Sequence, residues 1–314
     1  MGDHFYSANE YLRERFGSKV YRLSLDGGMT CPNRDGTLGT GGCIFCLEGS
    51  SHFSESIRND ISSQIENARK RVEGKAGRNA RYMAYFQSYT NTYAPVSRLR
   101  SLFIPVAERD DILAISIATR PDCLPDGVLE LLNELSQIKP VFVELGLQTS
   151  NEHTAGYIRR CYKNDVYLKA VRDLKSIGIN VITHMILGLP GEDRENMVDT
   201  ARFISDAGSD GIKFQLLHVL RGTDLAEEYE KGLFRTMSLE GYASALEDCI
   251  RAIRPGMVVH RITGDGPKKY LIAPLWSADK KSVLNYLNRR FEEDALKQGS
   301  ACAKNSWSNA SRGL

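Results

Sequence analysis

The sequence predicts an α/β fold in which a parallel sheet is covered by helices. Two observations carry this. Six short apolar runs recur between Val20 and Leu217, and the stretches between them repeat apolar residues at three- and four-residue intervals. Strands that alternate with helix-length connections form parallel sheets, because each crossover must carry the chain back to the starting edge.

The elements follow in order. Val20 to Leu25 (VYRLSL) reads as the first strand, and a glycine-rich loop follows it through Gly27, Gly28, Gly36, Gly39, Gly41 and Gly42. Ile57, Ile61, Ile65, Ala68 and Val72 mark the first helix of the repeat. Arg81 to Gln87 is the second strand, with Leu99, Leu102, Phe103 and Val106 on its helix. Ile112 to Ala118 is the third, followed by Val128, Leu131, Leu132 and Leu135. Val141 to Leu147 is the fourth, followed by Val166, Ala170, Val171, Leu174 and Ile177. Asn180 to Leu187 is the fifth, with Val198, Ala201 and Ile204 on its helix, and Ile212 to Leu217 is the sixth. Beyond it the pattern predicts a helix through Leu246, Cys249, Ile250 and Ile253, a short strand at Val258 and Val259, and a last helix from Val283 to Leu296. From Gly299 onward the Ser-, Asn- and Gly-rich composition predicts disorder. Periodicity leaves open whether the sheet is flat and doubly wound or curled into a full or partial barrel. Either way, functional loops are expected at the C-terminal ends of the strands.

A formal net charge of +2 gives little pull on a polyanion, although an enzyme can gather its basic residues on one face. No run of 18 apolar residues occurs, so no transmembrane helix is expected. The first residues carry Asp3, Glu10, Arg13, Glu14 and Arg15 with no apolar core, which argues against a secretory signal and for a cytoplasmic protein. Tyr6 stands where a myristoylation signal needs Ser or Thr. The seven cysteines are odd in number and unevenly spaced, a pattern that suits metal ligation better than a disulfide framework.

Cys31, Cys43 and Cys46 lie in CPNRDGTLGTGGCIFC, directly after the first strand. Three thiolates are one short of a full protein set for a [4Fe-4S] cluster, which leaves one iron open to a small molecule. Gly41 and Gly42 let backbone approach such a cluster closely. Three cysteines with His52 are also the donor set of a structural zinc site, and spacing alone does not separate the two. LDGGMT and GLPGE lack the features of a nucleotide phosphate loop.

The triad, together with YFQSYTNTYAP, ATRPDCLPD, VELGLQT, HMILGLPGE and HRITGDGPKKYLIAPLW, resembles the YhcC/YtqA (MnmL) family of radical S-adenosylmethionine (SAM) proteins. That family is related to the catalytic subunit of Elongator, to the MiaB-type methylthiotransferases and to the oxygen-independent coproporphyrinogen oxidase. The likeness runs from Tyr21 to the segment before the tail. The eleven-residue first gap departs from the shorter spacing common in the superfamily and is the form this subfamily shows.

The resemblance implies a radical SAM partial (β/α)6 barrel over 19–265. An N-terminal segment at 1–18 precedes it; a C-terminal helical extension at 266–298 and a tail at 299–314 follow. It implies a [4Fe-4S] cluster on Cys31, Cys43 and Cys46 with SAM as second cofactor. It places Phe45 near the SAM adenine, Gln148 and His184 near the ribose, Gly188 with Pro190 and Gly191 under the adenine, and Thr119 and Arg120 near the methionine part. Arg160, in a variant of the family's Arg-Gly-His/Tyr segment with Cys161 in place of glycine, would pair with the SAM carboxylate, with Arg159 as the alternative. His218 and Arg261 are the substrate-side candidates, and no catalytic residue is assigned.

The implied activity is generation of a 5′-deoxyadenosyl radical for modification of a tRNA wobble uridine, from carboxymethylaminomethyl to aminomethyl. The glycine-like CH2 of that group, flanked by nitrogen and carboxylate, is a sensible site for hydrogen abstraction; oxidation to an imine and hydrolysis would release the two-carbon fragment. The implied partners are tRNA and an electron donor such as flavodoxin or ferredoxin. Arg69-Lys70-Arg71, Lys268-Lys269-Tyr270 and Lys280-Lys281 are the basic candidates for RNA contact, each also readable as a solvated face. No appended RNA-binding domain is recognisable. The alternatives are a radical SAM enzyme for a small metabolite and a non-catalytic zinc or iron–sulfur module.

Overall fold

The computed structural model describes residues 4–47, 60–76, 80–264 and 266–302. Ile57 of the predicted first helix, the zinc candidate His52 and the tail beyond Cys302 lie outside these residues.

A short helix, α1 (Ala8–Phe16), precedes the first strand, β1 (Val20–Leu25). The alternation then runs α2 (Ile61–Ala76), β2 (Arg81–Phe86), α3 (Val96–Ala107), β3 (Ile112–Thr119), α4 (Asp126–Ile138), β4 (Val141–Gln148), α5 (Glu152–Tyr157), α6 (Asn164–Ser176), β5 (Asn180–Leu187), α7 (Arg194–Asp206) and β6 (Gly211–Leu216). The C-terminal part holds β7 (Val219–Leu220), α8 (Asp224–Glu230), α9 (Leu239–Ala252), β8 (Val258–Arg261), β9 (Leu271–Ala273) and α10 (Lys280–Glu293). The sheet order is β1-β2-β3-β4-β5-β6-β8, parallel throughout, so the short strand expected at Val258 is a seventh member of the main sheet. β7 and β9 form a separate antiparallel ribbon.

The sheet is curled into a partial barrel. Side chains from its two edges meet: an Arg22 guanidinium N–H of β1 lies 3.1 Å from His260 Nδ1 of β8. In a flat sheet, six strand spacings would hold these edges roughly 29 Å apart. Helix α1 closes the seam between them. It sits below the barrel, with Leu12 packed on Val20, Met83, Ala114, Phe142 and Ile182, and backbone joins Ser7 to Val259 and Tyr6 to Val259 N–H at 2.8 Å. Ser7 caps the helix by accepting from Glu10 N–H, and Gly17 ends it in a left-handed turn (φ 69°). The sequence pattern missed α1 because one buried residue, Leu12, leaves no periodicity to read.

One face of every strand feeds the main core with the helices, through residues such as Leu23, Ala84, Ile115, Val143, Val181 and Phe214. The other face lines the barrel in tiers. Val20, Met83, Ala114, Phe142 and Ile182 make an apolar floor. Above it, alternate positions bring Arg22, Tyr85, Ser116, Glu144, His184 and Lys213 inward. Gly299 and Ala301, expected to be disordered, are hydrogen-bonded to the Ile250 and Arg251 carbonyls at 3.2 and 2.9 Å. No helix among the described residues is long and apolar enough to cross a membrane.

Candidate active site

The three cysteines lie on the loop after β1, at the C-terminal end of the barrel. Local bonds shape the loop around them: Arg34 N–H donates to the Cys31 carbonyl (2.8 Å), Gly42 N–H to the Asn33 carbonyl (2.7 Å) and Cys46 N–H to the Cys43 carbonyl (2.9 Å). Gly42 has φ 73°, a backbone conformation that favours glycine, and its open side lies against the Arg34 guanidinium. The segment is stitched to its surroundings by Ile44, whose N–H reaches Ile158 O and whose carbonyl accepts from Leu225 N–H. Asn33 Nδ2 donates to the Arg159 carbonyl at 2.7 Å and lies 3.7 Å from Cys43 Sγ.

Burial raises the Cys43 thiol to about 12, with the charges of Cys46 and Cys31 adding to the rise and Arg120 opposing it. Burial also raises Cys46, and Arg34 opposes that rise. The thiols therefore share one electrostatic pocket, flanked by two guanidinium groups. Among the described residues, no three His, Cys, Asp or Glu side chains stand close enough to hold one metal ion. The donor set fits a group in which each thiolate holds its own iron, and iron charge would deprotonate these raised thiols.

Three buried side-chain oxygens among the described residues at these strand ends and loops lack a partner. Gln148 sits in the left-handed region (φ 71°) at a β-bulge against β5, and its buried Oε1 has no hydrogen-bond partner. Gly146 makes room for it, since a Cβ there would meet Gln148 Nε2 at 2.9 Å. The buried Asn33 Oδ1 and Asn91 Oδ1 are likewise without partners. Such orphaned acceptors, one of them in left-handed backbone at Gln148, suit the hydroxyl and amino donors of a cofactor.

The other expected site residues are distributed as follows. Thr119 Oγ1 is 2.5 Å from Thr92 Oγ1, which in turn donates to the Cys123 carbonyl. Arg120 is bonded twice to Asp122 and once to the Arg160 carbonyl, and its charge reaches Cys31 and Cys43. Arg160 is 2% exposed and spends its five N–H groups inside the protein: on the Tyr162, Leu147 and Thr149 carbonyls, Glu152 and Asn164. Arg159, the alternative, pairs with Asp224 at 2.5 Å on the surface. Phe45 packs in an apolar cluster with Ile158, Ile186, Leu217 and Val219. Gly188 (φ 86°) lines a cavity of about 770 Å³ with Leu189, Pro190, Gly191 and Met237. His218 is wedged against Gly264 and Gly266, where added Cβ atoms would approach it to 2.6 and 3.1 Å.

His184 and Arg261 belong to the tier below. His184 Nε2 is 2.7 Å from Glu144, and its Nδ1 is 2.9 Å from Gln215 Nε2. Glu144 also accepts from Tyr85 OH and Ser116 Oγ, both at 2.9 Å, and from Lys213 Nζ. Burial lowers Lys213 to about 7 against the pull of Glu144, and the Arg22 and Arg261 charges lower it further. Burial, Arg22 and Lys213 together hold His260 well below the usual imidazole range. Sequence reasoning passed over Glu144, Lys213, Gln215, Tyr85 and Arg22. Their signal was present: a polar side chain at alternate positions of strands that ought to be apolar on both faces marks a polar lumen.

These features define a class. The chain belongs to the radical SAM superfamily, whose model matches residues 35–204, with the Radical_SAM C-terminal domain matching residues 209–293. Within it the chain is 45% identical over 296 residues to the uncharacterized protein YtqA of Bacillus subtilis, covering 94% of this chain and 92% of that one. It is 37% identical to protein YhcC of Escherichia coli K12, covering 93% and 94%. A tRNA uridine(34) acetyltransferase of Methanocaldococcus jannaschii is 28% identical over 196 residues, 60% of this chain and 34% of that one. Among solved structures, the archaeal Methanocaldococcus infernus Elp3 superposes with a TM-score of 0.67 at 18% identity, covering 90% of this chain and 64% of that one. The cofactors of the family are a [4Fe-4S] cluster and SAM.

Proposed function

We propose that this radical SAM enzyme modifies a tRNA wobble uridine, converting a carboxymethylaminomethyl substituent to aminomethyl. The observation that carries the reading is the kinship with a protein named for its action on tRNA uridine 34, through a segment of its sequence. Cys31, Cys43 and Cys46 would hold the cluster; Gln148, Thr119, Arg120, Phe45 and the Gly188 turn would hold SAM. With both bound, the cofactors supply a 5′-deoxyadenosyl radical able to take hydrogen from the CH2 between nitrogen and carboxylate. The protein's part is to orient that carbon and exclude water. The inward row of Arg22, Lys213 and Arg261 around one carboxylate, Glu144, favours a substituent that is itself anionic.

The test uses anaerobically reconstituted protein with about four irons per chain, SAM, a reductant and tRNA bearing the substituent with deuterium at that CH2. Deuterium in 5′-deoxyadenosine and loss of the two-carbon unit are expected, with neither in Cys43→Ala. Cofactor turnover with a metabolite but not with tRNA would overturn the reading.

A further inference from the structure

The three basic runs of the sequence part company in the fold. Arg69-Lys70-Arg71 lies on α2, where Arg69 is paired with Glu66 and Asp111 at 3.2 Å each. The other two runs lie at the two ends of one short segment, with nine residues between them. Lys268 and Lys269 precede β9, and Lys280 and Lys281 open α10. Asp279, the residue that caps α10, is held low chiefly by its hydrogen bonds from Ser282, with the Lys268 charge adding a smaller part, and the short turn after β9 leads directly into α10. The β7–β9 ribbon adds Arg221, whose N–H bonds to the Tyr270 carbonyl at 2.7 Å. Across the described residues 219–223 and 266–281 there are five cations and one carboxylate, Asp279. Arg221, Lys268, Lys269 and Lys281 are exposed.

The location matters as much as the charge. The underside of the ribbon, through Val219, Ile272 and Ala273, belongs to the same apolar cluster as Ile44 and Phe45 of the cysteine loop. The cationic edge therefore stands one packing layer from the cluster cysteines, at the C-terminal end of β6. Helix α10 opens with two lysines in its first turn, and its capping residue Asp279 is the carboxylate beside them. Leu275, 71% exposed, lies between the two basic runs and offers an apolar contact among the charges.

We propose that the β7–β9 ribbon and the first turn of α10 form the surface that grips the phosphodiester backbone of RNA beside the barrel mouth. This rests on the tRNA reading above. A dispersed set of exposed lysines around an apolar side chain suits a flexible polyanion, which needs charge along a line rather than one shaped pocket.

The test is the affinity of reconstituted holoenzyme for a fluorescein-labelled tRNA transcript across a series of salt concentrations. The variants are Lys268→Glu/Lys269→Glu, the milder Lys268→Gln/Lys269→Gln, Lys281→Glu, and Lys70→Glu/Arg71→Glu on α2. Reversal on the ribbon should weaken binding at least ~10-fold, and removal of both charges should reduce the salt slope by about two. The α2 variant should stay within about twofold of wild type, and SAM cleavage without RNA should be unchanged in the ribbon variants. If wild type binds tRNA and the ribbon variants bind it equally well, the proposed surface is wrong while the tRNA reading survives. If wild type binds no tRNA, both fall. Unchanged tRNA affinity with slowed reduction by an acidic flavoprotein donor would make the patch a protein-docking site and overturn the proposal.

Discussion

His184 of β5 and Glu144 of β4 meet 2.7 Å apart inside the barrel, and Glu144 is the same carboxylate that holds Lys213. Both Glu144 and Lys213 are almost fully buried, whereas the His184 side chain keeps 17% exposure. The pair is thus a support beneath a histidine that reaches the lumen. A buried ion pair is weak evidence for stability, but breaking one leaves an uncompensated charge. Glu144→Gln should therefore cost about 3–5 kcal/mol of unfolding free energy, and so should Lys213→Met. The double variant should recover at least half of the summed loss, as a double-mutant cycle in denaturant would show.

The same tier fixes a response to acid. Burial and the Lys213 charge lower His184, and burial with Arg22 lowers His260 further. A base with a depressed folded value adds stability above its unfolded value of 6.5 and loses it as pH falls below that. Glu144, also depressed, resists until below 4.5. Stability should hence begin to fall as pH drops through about 6.5 and go on falling towards the lower folded-state values of the two histidines. His184→Gln/His260→Gln should flatten that drop in denaturant titrations; an equal slope would remove the histidines as its source.

Arg160 and Arg120 should separate by assay. The five internal bonds of Arg160 make it a clamp on the β4–α6 connection, so Arg160→Gln should lower the melting temperature and leave SAM affinity within about threefold. Arg120 stands nearer the thiols, and Arg120→Gln should weaken SAM binding at least ~10-fold. Equilibrium binding of SAM to both reconstituted variants decides the matter.

Gln148 holds an uncommon backbone conformation and an unsatisfied acceptor at one position. Glycine at that position relieves the backbone and deletes the acceptor. Gln148→Gly should fold with unchanged or slightly higher stability, yet bind SAM about 5- to 10-fold more weakly. A variant that loses stability and keeps affinity would show the side chain to be structural.

Much of this fold is legible in the sequence because it is repetitive. Asn180–Leu187 and Val20–Leu25 were bounded by composition alone, since buried parallel strands are short, apolar and flanked by turns. The ribbon was not legible: a two-residue strand at Val219 has no period to detect, and its partner Leu271 lies far along the chain. The cysteine triad stood out by spacing. Glu144 and Lys213 did not, because a lone charge in a strand reads as an exception until seven strands place such exceptions on one face. Arg160 shows the converse: its neighbourhood in sequence suggested a ligand contact, and nothing there announced the five hydrogen bonds that hold it in the β4–α6 connection.

The seam of the barrel has a consequence for how the protein is made. Tyr6 N–H bonds to Gln298 Oε1 at 2.9 Å, Gln298 N–H to the His4 carbonyl at 2.9 Å, and Gln298 Nε2 to the Met257 carbonyl at 2.8 Å. The opening segment is thus locked in place by one of the last described residues. On the ribosome, strands β1 to β6 can emerge and pair in order while the floor of the barrel stays unlatched until Gln298 has left the exit tunnel. The cysteine loop, which precedes β2 to β8 in the chain, is therefore made before the residue that closes the barrel beneath it.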